Sequence, residues 1–337
     1  MSGLGYHLDN LARWLVAGAP KLVTFYAALI APGMPKLGTH PGWRFAGEYY
    51  DQRLWFACRR GAIWEAAKKR DPAMPLVLSW YDGLVVEVTL GNDNSLCLYV
   101  CGSFEPNEFT FLYSFLKAGM VFIDVGANDG YYSLFAARRV GPTGKVVAVE
   151  PSTRERVNLR RNLMRNNLSN VEVVAAALGA VSGEADLRLA QGAHSGHNTL
   201  GQFAHDDVMA ANLERVTVKT LDSVVHELGL ERVDFIKIDV EGAEANVVTG
   251  SRRVLREMKP VMLLEINENA LKAQGGSAEA FLNTLRSDFG YEVLVFSPST
   301  GRPELAPADG SLSSNVIAAP RDRVVELLAG DGALRTT

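Results

Sequence analysis

Residues 121–132 read VFIDVGANDGYY and place an aspartate and two glycines directly after a short apolar run. The run is typical of a buried strand, and Gly126 and Gly130 would let the next backbone turn sharply and approach a ligand closely. Ligands of open α/β sheets bind beyond the carboxyl ends of the strands, so this turn is expected to border a binding site. Asp124 would repel a pyrophosphate, and the spacing D-x-G-x-N-x-G differs from the G-x-G-x-x-G of dinucleotide-binding folds. The stretch therefore predicts a ligand that is cationic or rich in hydroxyl groups.

Strand-like and helix-like segments alternate after this stretch. Apolar, strand-like segments lie at 121–126, 146–151, 171–178, 234–240, 260–267, 291–297 and 315–319. Near-continuous apolar strands that alternate with helices are typical of a parallel sheet covered by helices on both faces. We therefore predict an α/β fold with a doubly wound, mostly parallel, Rossmann-like sheet. Upstream, LVLSWYDGLVVEV (76–88) and SLCLYVC (95–101) are expected to pair as a β-hairpin across the turn residues GNDN.

A second acidic residue, Glu150, stands at the end of the next predicted strand, 26 residues after Asp124. A carboxylate at this place can accept hydrogen bonds from both hydroxyls of a ribose. S-adenosylmethionine has such a ribose, an amino acid and a sulfonium, and it has no phosphate. We therefore predict S-adenosylmethionine as the cofactor. The alternative is a structural tight turn with a capping glutamate.

A set of segments in this order resembles the FkbM-type S-adenosylmethionine-dependent methyltransferases. The segments are GSFEPNEFTFL (102–112), DVGANDGYYSL (124–134), AVEPSTRERVNLRRN (148–162), VTVKTLDSVV (216–225), DFIKIDVEGAEANVVTGS (234–251) and PVMLLEI (260–266). The resemblance implies the seven-stranded class I methyltransferase fold, in which a last, antiparallel strand inserts beside the others. YEVLVFS and SNVIAA would supply that hairpin. It also implies transfer of a methyl group to a hydroxyl, so we expect a hydroxylated small molecule, sugar, glycolipid or other glycan as the acceptor.

The resemblance also implies which residues hold the cofactor. They are Asp124, Gly126, Ala127, Asn128, Gly130, Glu150, Ala177, Leu178 and Asp239. The residues of the glycine turn would hold the methionine part and its ammonium group, Glu150 the ribose, and Ala177 and Leu178 the adenine. Asp129 departs from the family, whose members commonly carry an apolar residue there. Its carboxylate is either without consequence or contacts a cationic group.

Polar residues at the ends of the fourth and fifth sheet strands are the candidates for catalysis. The strand period of two places Lys237 and Asp239 on one face, where unpaired burial would be costly. We predict that they line the pocket beside the sulfonium, with a structural ion pair as the alternative. Glu265 and Asn267 end the next strand, and with Asp239 they would offer three oxygen ligands for Mg²⁺, which could lower the pKa of an acceptor hydroxyl. A metal-free mechanism with a protein base is favoured over this one.

The segment LAQGAHSGHNTLGQFAHDD (189–207) carries three of the six histidines. His194 and His197 are three residues apart, but Ser195 and Gly196 disfavour a helix and no cysteine is near, so the spacing does not predict a zinc site. We predict instead a lid over the acceptor in which one histidine receives the hydroxyl proton, with Asp239 as the competing base.

The first 75 residues lie outside the resemblance. We predict a helical extension over 1–75 and a methyltransferase domain over 76–337. Residues 6–30 are apolar, but Arg13, Pro20 and Lys21 interrupt them, so neither a spanning helix nor a signal peptide is expected. Their helices would pack on the body of the protein or on a second subunit, as in a homodimer. The alternative is peripheral membrane contact through 1–30.

Composition bounds the remaining functions. The formal net charge of −4 gives no overall attraction to nucleic acid. Three cysteines without a paired motif suit a cytoplasmic protein. Contact of residues 1–30 with a membrane would make it membrane-associated. RERVNLRRNLMRN (154–166) carries five arginines, for which a solvated helix face is expected. An RNA methyltransferase and a cofactor-binding scaffold without catalysis remain the alternative functions.

Overall fold

The computed structural model describes residues 3–42, 53–70, 74–201, 203, 210–307 and 311–329. Three helices come first: α1 (Gly3–Gly18), α2 (Pro20–Leu29) and α3 (Leu54–Arg70). The helical extension predicted over 1–75 contains these three helices, and residues 1–2, 43–52 and 71–73 of it lie outside the described residues. Val23 and Ala27 of α2 are buried in one hydrophobic cluster with the elements that follow. These helices therefore pack on the body of the protein, and the division at residue 75 stays a prediction.

The first two helices also expose large apolar side chains. More than half of the surface of each is accessible for Leu11, Trp14, Leu22, Phe25 and Leu29. Among the helices of the described ranges, none combines the length and the apolar character needed to cross a bilayer. Contact of this face with a membrane surface or a second subunit stays a prediction.

The upstream hairpin forms, but not between the predicted partners. Strands β1 (Pro75–Ser79) and β2 (Val85–Thr89) pair antiparallel, and the turn between them contains Asp82 and Gly83 at left-handed φ values of 50° and 72°. The pairing expected across GNDN is wrong. There, the Asn92 side chain accepts a hydrogen bond from the Asn94 amide and begins the helical turn α4 (Asp93–Ser95), which continues as a wider turn over Leu96–Cys101. A capping asparagine thus replaces the hairpin turn.

Eleven strands follow. They are β3 (Val121–Val125), β4 (Lys145–Val149), β5 (Val171–Val174), β6 (Ala177–Leu178), β7 (Gly183–Ala190), β8 (Ala210–Lys219), β9 (Phe235–Ile238), β10 (Val261–Glu265), β11 (Tyr291–Phe296), β12 (Pro303–Leu305) and β13 (Asn315–Pro320). Eight of them form the central sheet in the order β12-β11-β13-β10-β9-β3-β4-β5.

This sheet contains all seven predicted strands and one more. Strands β5, β4, β3, β9 and β10 run parallel, and the last strand, β13, inserts antiparallel between β10 and β11. The extra strand is the short edge strand β12, paired with β11. The chain leaves β3 towards β4 on one side and returns as β9 on the other, so a crevice opens at the carboxyl ends of these strands.

A second, three-stranded sheet lies beside the first, and the sequence did not predict it. The segment 171–178, expected as one strand, breaks after Val174, and β6 then pairs with β8. Strands β7 and β8 form a long antiparallel hairpin from Gly183 and Val218 to Ala190 and Ala210. The histidine-rich segment connects these two strands.

Helices cover both faces of the central sheet. They are α5 (Pro106–Phe115), α6 (Tyr131–Val140), α7 (Thr153–Arg165), α8 (Leu221–Glu227), α9 (Glu244–Thr249), α10 (Arg252–Glu257), α11 (Glu268–Ala273), α12 (Ala278–Asp288) and α13 (Val324–Ala329). Alternate residues of one strand enter different hydrophobic clusters: Phe122 lies in one, and Ile123 and Val125 lie in the other. The predicted doubly wound arrangement is confirmed.

Candidate active site

A cavity of about 520 Å³ opens at the carboxyl ends of β3, β4, β9 and β10. Predicted site residues in its lining are Gly126, Ala127, Asn128, Glu150, Ala177, Leu178, His197, Lys237, Asp239, Glu265 and Asn267. Three others, Asp124, Gly130 and His194, do not line it. The volume lies in the range of small-molecule sites.

The turn after β3 depends on close backbone contacts. Gly126 has φ of 78°, and a Cβ built on it would lie 1.8 Å from the carbonyl oxygen of Asp239. Asn128 has a left-handed φ of 49°, and its side-chain Oδ1 is buried with no hydrogen bond from the described residues. Gly130, with φ of 90°, is needed for a different reason, because its Cβ would meet Leu159 Cδ1 at 2.2 Å. Gly126 is therefore required for the close backbone approach of the turn that lines the cavity, and Gly130 is required for the packing of α6 against α7.

Glu150 joins the turns that follow β3 and β4. Its Oε2 accepts a hydrogen bond from the Asn128 amide at 2.8 Å, and its Oε1 accepts one from the Ser152 amide at 2.8 Å. Burial raises the pKa of Glu150 to about 8, although both backbone donors favour the charged form. Each carboxylate oxygen has a second lone pair, so Glu150 keeps the capacity to accept from a ligand.

Asp124 is fully buried outside the cavity lining. Its Oδ2 accepts a hydrogen bond from Ser133 Oγ at 2.6 Å, and in the sheet it is registered opposite Lys237. Burial raises the pKa of Asp124, and the charge of Lys237 partly opposes this shift. The geometry favours a role for Asp124 in orienting Lys237 and the turn, and its contact with a cofactor stays a prediction.

Lys237 forms an ion pair in the cavity wall, with its Nζ 2.8 Å from Asp239 Oδ2. Burial alone would raise the pKa of Asp239, but the charge and hydrogen bond of Lys237 outweigh it, so this pKa is lowered. Burial, and then the charge of Asp239, raises the pKa of Glu265 well above its usual range. Of the two carboxyl groups, Glu265 therefore holds a proton more readily than Asp239.

The structure brings together two of the three residues considered as alternative metal ligands at these strand ends, Asp239 and Glu265, and the metal site itself stays a prediction. Asn267 lines the cavity, but its Oδ1 caps α11 by accepting from the amides of Asn269 and Ala270 at 3.1 and 3.2 Å. Glu241, which the sequence did not single out for a metal, instead joins Asp239 and Glu265 within 4.8 Å. Asn267 precedes a helix start, which is the signal that could have identified its capping role.

The two predicted histidines both lie near Asp93, a residue that was not predicted to belong to the site. They lie in a short helical segment, Gly192–His197, and His194 Nδ1 is 2.7 Å from Asp93 Oδ2. His197 Nδ1 is 3.0 Å from Glu241 Oε1, and its Nε2 is 3.8 Å from the same Asp93 oxygen. The hydrogen bond with Glu241 raises the pKa of His197 above its ordinary value. Residues 202 and 204–207 of the predicted lid lie outside the described residues.

A buried polar network that the sequence did not indicate as part of the site closes the far end of the cavity. Tyr132 Oη donates to Glu105 Oε2, and Asn315 Nδ2 donates to Glu105 Oε1 at 2.8 Å and to Glu108 Oε1 at 3.1 Å. Lys237 Nζ lies 4.8 Å from the centre of the Tyr132 ring. The only sequence signal was that Glu105 belongs to the segment 102–112, which carries the family resemblance.

The cavity is strongly acidic. Carboxylates in its lining are Asp93, Glu105, Glu150, Glu155, Asp239, Glu241, Glu265 and Glu268. Lys237 and His197 are the basic side chains among the described lining residues. Such a lining favours a cationic ligand and disfavours a phosphate.

The arginines of α7 are largely engaged within the protein. Arg161 and Arg165 both bind Glu87, Arg154 binds Glu155, and Arg156 Nη1 donates to the Glu150 carbonyl at 2.9 Å. Asp129, the departure from the family, accepts from Asn94 and Asn158 side chains instead of contacting a cation. Four of the five arginines of α7 thus contact acceptors within the protein, and the absence of nucleic-acid binding stays a prediction.

The parallel sheet with an antiparallel last strand, together with the position of the cavity, places the protein in the class I methyltransferase fold. The chain belongs to the FkbM methyltransferase family, because the family model described as "Methyltransferase FkbM domain" matches residues 124–293. The predicted resemblance is thus confirmed.

Individual relatives match parts of the chain. It is 33% identical over 211 residues to the AMB antimetabolite synthetase AmbE of Pseudomonas aeruginosa, covering 53% of this chain and 10% of AmbE. It is 26% identical over 158 residues to the 2-O-methyltransferase NoeI of Sinorhizobium fredii, covering 42% of this chain and 62% of NoeI. The chain thus spans less than two thirds of either relative. The crystal structure of methyltransferase FkbM from Methylobacillus flagellatus KT aligns with a TM-score of 0.41 and 14% identity, over 82% of this chain and 56% of that one.

Proposed function

We propose that the protein is an S-adenosylmethionine-dependent methyltransferase that methylates a hydroxyl of a small molecule, sugar or glycolipid. The observation that carries this proposal is the acidic cavity at the ends of β3 and β4, with Glu150 at its wall. S-adenosylmethionine has a sulfonium and an ammonium group, both of which suit such a lining. A dinucleotide would bring phosphates close to the same carboxylates.

The residues present fit this cofactor. Glu150 has acceptor capacity for the two ribose hydroxyls, and the buried Asn128 Oδ1 accepts no hydrogen bond from the described residues, so it can accept from an ammonium group. The side chains of Ala177 and Leu178 offer an apolar surface for the adenine. The ionised Asp239 lies in the same wall and would attract the positive charges.

When bound, S-adenosylmethionine supplies a methyl group that is electrophilic because it is attached to a sulfonium. The protein must then take a proton from the acceptor hydroxyl, since attack by the neutral hydroxyl would leave a strongly acidic oxonium. Asp239 and the histidines at the cavity mouth are the proposed acceptors of this proton. The name of the relative NoeI describes a 2-O-methyltransferase, which supports a hydroxyl acceptor.

Calorimetry and a transfer assay test the proposal in two steps. The full chain should bind S-adenosylmethionine and S-adenosylhomocysteine and should not bind NAD⁺ at the same concentration. With a radiolabelled methyl group, a panel of hydroxylated acceptors should then show transfer. Absence of cofactor binding would refute the proposal, whereas binding without transfer to any panel member would favour the scaffold without catalysis.

A further inference from the structure

Three side chains with metal-binding atoms converge at the mouth of the cavity from distant parts of the sequence. Asp93 begins α4, whereas His194 and His197 lie on the β7–β8 connection. Asp93 and His194 are 101 residues apart in the sequence. One ligand atom from each lies within 4.8 Å of one from each of the others. The sequence alone argued against a zinc site, because the two histidines lacked a further ligand. The fold supplies that ligand in Asp93.

The distances suit one metal ion. Ligands placed 2.0–2.2 Å from a tetrahedral metal lie roughly 3.4 Å from one another. Asp93 Oδ2 lies 2.7 Å from His194 Nδ1 and 3.8 Å from His197 Nε2, so the observed separations lie on both sides of that value. The third pair of atoms, one from each histidine, is bounded at 4.8 Å, so coordination requires small rearrangements of these side chains rather than a change of the backbone.

The surrounding residues orient two of the three ligands. Glu241 Oε1 lies 3.0 Å from His197 Nδ1, which leaves the Nε2 atom of the same ring directed at Asp93. A carboxylate on the far nitrogen is the usual support of a metal-binding histidine. Lys68 Nζ lies 4.0 Å from Asp93 Oδ1, the oxygen that does not face the histidines. Thr199 Oγ1 donates to the Glu241 carbonyl at 3.1 Å and so ties the histidine segment to this support.

We propose that Asp93, His194 and His197 bind one divalent transition-metal ion at the mouth of the cavity. Two imidazoles and one carboxylate suit zinc, cobalt, nickel or iron, whereas magnesium and calcium prefer oxygen ligands alone. Three protein ligands leave a coordination position open, as in catalytic metal sites. Since Asp93 and His197 line the cavity, that position would face the space available to an acceptor.

This inference deepens the proposed function and rests on it for its chemical consequence. A metal ion at this mouth would coordinate an acceptor hydroxyl and lower its pKa, and Asp239 would then accept the proton in place of the metal-bound histidines. The site adjoins the cluster of Asp239, Glu241 and Glu265 through the contact between His197 and Glu241, but that cluster consists of carboxylates alone and lies beside Lys237.

Cobalt binding by the full chain tests the site without relying on methyl transfer. Protein stripped with a chelator should bind one Co²⁺ per chain, with visible absorbance bands of low-symmetry cobalt, and Zn²⁺ should displace it. Asp93→Asn, His194→Ala and His197→Ala should each weaken binding by at least about 100-fold, and Glu241→Gln by about 10- to 100-fold. His226→Ala, which removes an exposed histidine of α8, is the matched control and should bind as the parent does.

Circular dichroism and thermal unfolding of each variant separate a lost ligand from a lost fold, and His194→Gln and His197→Gln serve where an alanine variant does not fold. Failure of the folded parent to bind a stoichiometric ion would overturn the proposal. So would loss of binding in Glu265→Gln together with retention in both histidine variants, because the ion would then belong to the carboxylate cluster. Cofactor calorimetry on the same stripped protein distinguishes the two proposals: cobalt binding without cofactor binding would leave the metal site standing and refute the methyltransferase.

Discussion

Replacing Glu150 with glutamine is the sharpest perturbation of the proposed cofactor site. The carboxylate accepts two backbone hydrogen bonds at 2.8 Å, and in the variant an NH₂ group would face one of these amides, so a donor would meet a donor. The variant also loses the charge that ribose hydroxyls would bind. Hydrogen bonds to charged groups contribute about 1.5–3 kcal/mol, so the Kd for S-adenosylmethionine should rise about 10- to 150-fold.

The same residue predicts how affinity depends on pH. Burial raises the pKa of Glu150 to about 8, and ribose hydroxyls that donate to it favour its charged form. Affinity of the parent should therefore increase between pH 6 and 7.5 by up to about tenfold per pH unit, and Glu150→Gln should remove this part of the increase.

Isothermal titration calorimetry at several pH values measures both effects. Glu172→Gln, on the exposed side of β5, is the control and should leave affinity and its pH dependence unchanged. A Kd within threefold of the parent, together with an unchanged pH dependence, would refute the assignment of the ribose to Glu150.

Three further predictions concern the neighbouring residues. Gly126→Ala should abolish cofactor binding or folding, because its Cβ would lie 1.8 Å from a backbone carbonyl oxygen. Gly183→Ala is the control, since a Cβ at Gly183 has open space around it, and should do neither. Calorimetry measures the binding, and thermal unfolding measures the stability. The raised pKa of Glu150 contributes stability to the ligand-free fold below about pH 4.5, and this contribution is lost as pH rises to about 8. The free energy of unfolding, measured by urea denaturation, should therefore decline less over that interval for Glu150→Gln than for the parent. Lys237→Met should destabilise the protein in urea by less than the roughly 3–5 kcal/mol of a broken, fully buried pair, since Asp239 remains 36% exposed to the cavity; an unchanged midpoint would contradict the structural ion pair.

The central sheet could be predicted because each of its long strands has a local signal. The first four residues of β10, VMLL, are apolar and buried, as expected of a parallel strand covered on both faces. The edge strand β12 is three residues long and begins with a proline, so it has no such pattern. The alanines after Val174 are equally compatible with continuation of β5 and with the observed break, and only the pairing of β6 with β8 decides between them.

The residues of the cavity also differ in how far the sequence predicts their positions. Gly126, Glu150 and Asp239 stand directly after strands, and parallel strands bring their carboxyl ends to one edge of a sheet, so their proximity follows from the sequence pattern. Asp93 and Glu105 come from irregular segments before the sheet. Their positions depend on a capping asparagine and on a left-handed residue, Glu105 itself at φ of 41°. Neither feature specifies a contact with residues a hundred or more positions away.

The distribution of charge in the cavity explains how its acidic lining can be stable without a ligand and still favour a cationic one. Burial raises the pKa of Glu150 to about 8, so part of the negative charge of the lining is neutralised by a proton near neutral pH. A cationic ligand would stabilise the charged forms, so its binding is linked to release of protons. The mouth of the cavity, where His194 and His197 face Asp93, has basic side chains to balance its carboxylates. We therefore propose that the inner wall receives the positively charged cofactor, and that the mouth, where a metal ion or a histidine could act, receives the acceptor.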